Sequence, residues 1–106
     1  MSRSKIAAVC ADPAAAVIVA HGIFDPAEVR AVFDHAAQLM AYQRVCGDGH
    51  KPADVARVIS LVNATTGRLV EVFGAERWVA IDAALFESTK ALVAWSAARS
   101  RNLIAA

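Results

Sequence analysis

The side chains able to do chemistry are few, and their spacing decides what they can be. The chain carries two cysteines, three histidines and ten acidic residues. Cys46 and His50 form a C-x3-H pair. A lone C-x3-H is a weak signal: a zinc-type centre needs four ligands, so two more would have to come from His21, His35, Cys10 or Asp48. A Cys–His nucleophile needs a third group to orient the imidazole, and neither neighbourhood offers one. No two carboxylates are placed for paired acid–base work. Gly47-Asp48-Gly49 is too short to cradle a phosphate. On these grounds no catalytic residue, metal ligand or cofactor is assigned, and a non-enzymatic protein is expected.

Other polar residues interrupt apolar stripes, and these define a second kind of candidate. Gln43, Thr66, Asp82 and Thr89 fall within or beside helical apolar faces and are read as a buried polar seam. Threonines in such places are satisfied by backbone carbonyls of the preceding turn. A buried Asp82 would need a donor, with Arg57, Arg68, Arg77 and Gln43 at hand; the expectation is a rim position with a surface ion pair. His35 stands at the border of its stripe and is read as a half-exposed helix histidine.

The elements that position these residues are announced by proline. Asp12-Pro13, Asp25-Pro26 and Lys51-Pro52 are each followed by alanine. Proline at the first helical position loses no hydrogen bond, and aspartate before it is a good N-cap. Helices are therefore predicted to begin near 13, 26 and 52, with Glu28 and Asp54 complementing two of the helix dipoles. Residues 4–10 are expected to add a short helix or arm. Residues 13–20 read as a short helix, apolar all round and wedged between others, that stops at His21-Gly22.

From 26, Val29, Val32, Phe33, Ala36, Leu39 and Met40 trace one face of a helix reaching about residue 45. From 52, Val55, Val58, Ile59, Val62, Thr66, Leu69, Val70 and Phe73 trace another, which Gly74 ends. From 75 to about 101, Trp78, Ile81, Leu85 and Leu92 form a stripe widened by Val79, Phe86 and Val93. The fold class that follows is all-α: a single helical domain over 1–106, three long helices (about 26–45, 52–73, 75–101) and short N-terminal ones. Its open question is Asn63-Ala64-Thr65-Thr66-Gly67. If the helix continues there, Gly67 should mark close approach of another backbone.

A sharper alternative exists for the same stretch. Asp54-Val55-Ala56-Arg57 followed by Ala64-Thr65 and Arg68 resembles the DNA-binding motif of lac-repressor-type regulators over about 18 residues. The resemblance implies a turn near Ser60, with Asn63, Thr65 and Arg68 offered to bases and Lys51 and Arg57 to phosphates. Val62 and Thr66 depart from that pattern.

Bulk properties weigh the two. Eleven basic against ten acidic residues give a net charge of +1, so no global field steers the chain to nucleic acid. The mean hydropathy is +0.44 and 58% of residues are hydrophobic, against only 20% charged. Such a surface calls for a partner to cover apolar area. The longest uncharged run, Pro13 to Phe24, is 12 residues and too short to span a bilayer. Asp12-Pro13 interrupts the only apolar run that could resemble an export signal. The expectation is a cytoplasmic protein–protein interaction, adaptor or regulatory module. Its partners should include itself, as a homodimer burying part of the last helix, and the helix-turn-helix regulator is the runner-up.

Overall fold

The structure, a computed structural model, describes residues 12–47 and 51–105. Three helices account for 93% of these residues, and none of them is in a strand: α1 (Pro13–His21), α2 (Pro26–Gly47) and α3 (Pro52–Ala105). The all-α expectation is met. The arm or helix expected over 4–10, with Cys10, and the connection containing Asp48, Gly49 and His50 lie outside the described residues.

The predicted starts hold, for the predicted reasons. Asp12 Oδ1 accepts the Ala14 and Ala15 amides at 2.8 and 3.4 Å, and Asp25 Oδ2 accepts those of Ala27 and Glu28 at 3.1 and 3.2 Å. Each such cap contributes about 1 kcal/mol. At Lys51 only the backbone carbonyl takes part, accepting from Asp54 and Val55. Helix α1 closes at Gly22, whose φ of 62° is left-handed. The Gly22 amide reaches Val19 O and the Ile23 amide reaches Ile18 O, the paired bonds of a Schellman motif, which seat Ile23 in the core. Helix α1 is not wedged on all sides, however: it buries Pro13, Ala14 and Val17 and leaves Val19 exposed.

Helix α3 is two helices joined at one residue. Gly74 has φ 85° and ψ 167°, a conformation open essentially to glycine alone, and the backbone on either side is helical. The first arm (52–73) therefore ends where the sequence places its end, and the second (75–105) begins at once. The arms fold back on each other. Thr65 and Asp82 stand seventeen residues apart and would be about 25 Å apart in a straight helix, yet both reach the same imidazole, that of His35 in α2.

Helix α2 lies against both arms. Its buried residues are Ala31, Val32, His35, Ala36 and Leu39, which meet Leu69 and Phe73 of the first arm and Ile81 and Leu85 of the second. Phe33, expected on this face, is 43% exposed. Contact with two arms turns the buried face of α2 toward Ala31 and His35 and leaves Phe33 on the far edge. Near the start of α2, Arg77 donates to Glu28 at 3.1 Å and stacks 5.1 Å over the Phe73 ring, tying α2 to the corner at Gly74.

In its thinnest direction the Cα trace spans 19 Å. That is room for two helix layers at 8–10 Å between axes, so no helix is enclosed on every side. Gly67 shows the consequence. It sits in regular helix, is exposed, and a Cβ built on it would meet nothing within 4 Å. The close helix crossing expected there is not made. No helix of the described residues is long and apolar enough to cross a membrane.

Candidate functional site

The polar residues converge on a histidine expected to be half-exposed at the border of its stripe. His35 is 0% exposed. Its Nε2 lies 2.6 Å from Asp82 Oδ1 and its Nδ1 lies 2.7 Å from Thr65 Oγ1. Thr65 Oγ1 is also 3.0 Å from the Val62 carbonyl and 3.3 Å from that of Leu61. One residue of α2 thus pins both arms of α3, eight or nine residues from the Gly74 corner.

Two proton inventories satisfy both ring nitrogens and the Thr65 hydroxyl. With a neutral ring, Nε2–H donates to Asp82 and the Thr65 hydroxyl donates to Nδ1. With an imidazolium, both ring nitrogens donate, and the Thr65 hydroxyl turns its proton to Val62 O. The cluster accommodates either state by rotating one hydroxyl. It does not have the form of a nucleophilic triad. Thr65 has a helix carbonyl for its proton, the ring is closed to solvent, and Thr65 does not line the neighbouring cleft.

That cleft, of about 310 Å³, opens between α2 and the two arms. Leu39, Tyr42, Ile59, Val62 and Phe86 supply its apolar wall, and Asn63, Thr66 and Asp82 its polar one. Asp82 is the link between cluster and cleft. Its side chain is 35% exposed; Oδ1 is spent on His35, while Oδ2 has no hydrogen-bond partner among the described residues. Thr66 Oγ1 donates to Val62 O at 2.8 Å, so only its lone pairs face outward. At the cleft's edge Tyr42 is held above the ordinary phenol range, first by hydrogen bonding to Cys46, then by the electrostatic influence of Cys46 and last by burial.

The predicted seam is thus partly assembled, around a hub it did not include. Asp82 finds its donor in His35, not in Arg57, Arg68, Arg77 or Gln43. Arg68 pairs with Glu71 at 3.2 Å and Arg77 with Glu28. Thr66 lines the cleft beside the cluster. Thr89 is buried, with its hydroxyl satisfied by Leu85 O at 2.9 Å, two turns beyond Asp82. Gln43 stands apart: its Nε2 is buried without a partner among the described residues. The signal for His35 was present in its spacing, because Val32, His35 and Leu39 share one face of α2.

The DNA-reading alternative loses its premise. Residues 60–67 are helical throughout, so the turn is not formed. Its contact residues also diverge. Thr65 faces inward to His35 and Asn63 faces the cleft, whereas Arg57 and Arg68 share another side of the arm and Lys51 precedes it. Among the described residues no group of three or more His, Cys, Asp or Glu gathers around a metal-sized space. Cys46 is a free, exposed thiol at the far end of α2 from His35, eleven residues and about 16 Å along the axis. No protein-family model matches the sequence, and no curated protein or solved structure is significantly similar to it.

Proposed function

We propose that the chain is a non-enzymatic helical interaction module, of adaptor or regulatory type, whose first partner is a second copy of itself. The observation that carries this reading is an apolar row along the second arm of α3. Val79, 53% exposed, and Phe86, 37% exposed, stand seven residues apart on it, and half-buried Val93 continues the row. Exposed Ala83, Lys90 and Ala97 lie between and beside them. This is a row at heptad spacing flanked by the small residues Ala83 and Ala97, which let a second helix approach, and by the charged Lys90. A two-fold axis at Phe86 sets Val79 of one copy opposite Val93 of the other, so the row is complementary to itself.

The thinness of the molecule supports the same reading, because a two-layer slab with this composition has apolar area that only association covers. A cytoplasmic setting suits it: Cys46 is a free thiol on the surface, a state that reducing surroundings maintain. Sedimentation velocity over a concentration series tests the proposal. The wild-type chain is expected to dimerise in the micromolar range, and Val79→Glu to shift it to monomer while helicity is retained. A wild-type monomer throughout that range would refute self-association.

A further inference from the structure

The cleft beside Asp82 has a chemistry of its own, although Phe86 belongs both to its wall and to the apolar row of the second arm. Its polar wall is built of acceptors. Asp82 Oδ2 is an unpartnered carboxylate oxygen, and Oδ1 is fixed by the buried His35, so the carboxylate is oriented before any ligand arrives. Thr66 has spent its only proton on Val62 O and presents lone pairs. Asn63, exposed at the rim, adds an amide oxygen. Interspersed with them are the aromatic side chains of Tyr42 and Phe86, with Leu39, Ile59 and Val62. A carboxylate beside aromatic and aliphatic walls attracts a cation and repels an anion. Three acceptors match the three N–H donors of a primary ammonium group.

We propose that this cleft binds a small primary amine in its ammonium form, carried on a single ring or a short hydrocarbon stem. The ammonium donates to Asp82 Oδ2, Thr66 Oγ1 and Asn63 Oδ1, and the stem lies against Phe86, Tyr42 and Ile59. The volume of about 310 Å³ sets the size, since it falls at the lower end of small-molecule sites. His35 acts as a positioning residue, holding the carboxylate without touching the ligand.

The test is an NMR titration of the ¹⁵N-labelled full chain with 2-phenylethylammonium, set against 2-phenylethanol and 3-phenylpropanoate as neutral and anionic counterparts. The amine should give saturable shifts at Asn63, Thr66, Asp82 and Phe86, with a Kd in the range of about 10 µM to 1 mM for a ligand of that size. Asp82→Asn should weaken it tenfold or more, and Thr66→Val severalfold. If Asp82→Asn fails to fold, as read by circular dichroism, Thr66→Val and Ile59→Ala carry the test. The proposal is overturned if phenylethanol binds as tightly as the amine, if these variants leave the affinity unchanged, or if no saturable shift develops by about 10 mM. Sedimentation on the same samples keeps this result separate from self-association.

Discussion

At the scale of single residues, His35 carries the most consequence. Its two ring nitrogens are both bonded at under 3 Å, and no face of it reaches water. Replacing it with alanine leaves a cavity, a half-desolvated carboxylate at Asp82 and a lost tie to Thr65. The expected loss is about 2–4 kcal/mol, read by urea unfolding. A cost below 0.5 kcal/mol, the size of an ordinary surface change, would contradict the geometry. Tyr42 offers an independent reading because it is the only tyrosine in the chain, so absorbance at alkaline pH reports it alone. Its titration should lie above the ordinary 10.0 and fall toward it in Cys46→Ala. The sign for stability follows. The unfolded chain gives up the phenolic proton first, so the stability contributed by the pair is complete below the ordinary tyrosine range and is lost as pH climbs through it. Of these residues the sequence disclosed Asp82, which breaks an apolar stripe. His35 was harder to place, because an imidazole at the border of a stripe is compatible with either side until its partners are known. Those partners lie 30 and 47 positions away.

At the scale of elements, two glycines in one helix have opposite roles. Gly74 occupies φ 85°, ψ 167°, and nothing stands within 4 Å of the Cβ it lacks. The cost of Gly74→Ala is therefore backbone strain alone, about 1–3 kcal/mol. Gly67 is exposed in regular helix with the same empty surroundings, so Gly67→Ala should stabilise by about 0.5–1 kcal/mol. Thermal unfolding of the two variants side by side checks both signs, and a destabilising Gly67→Ala would point to a packing contact that the fold does not contain. Composition alone does not separate these glycines. Position does: Gly74 stands where one apolar stripe stops and the next begins, whereas the stripe through Gly67 continues in register from Val62 to Leu69. The helix starts were legible for a simpler reason, since Asp-Pro capping is settled within four residues of chain. How α2 meets both arms was not, because the corner geometry at Gly74 sets which face of α2 is buried.

At the scale of the molecule, the fold explains a composition that otherwise sits poorly on a small domain. Two layers of helix cannot enclose 58% hydrophobic residues, and Val79, Phe86, Ile59 and Val70 remain on the surface. The excess of apolar residues was visible in the sequence; which of them stay outside depends on the angle between the arms. The proposed dimer requires the Val79, Phe86 and Val93 row of the second arm to meet its counterpart on another copy. An isotope-filtered NOE experiment on an equimolar mixture of ¹³C-labelled and unlabelled chains measures that contact directly. It should show intermolecular contacts among Val79, Phe86 and Val93, with Val79 facing Val93 of the second copy. Intermolecular contacts confined to other exposed apolar residues such as Val19 and Phe24, or none at concentrations of about 0.5 mM, would contradict it.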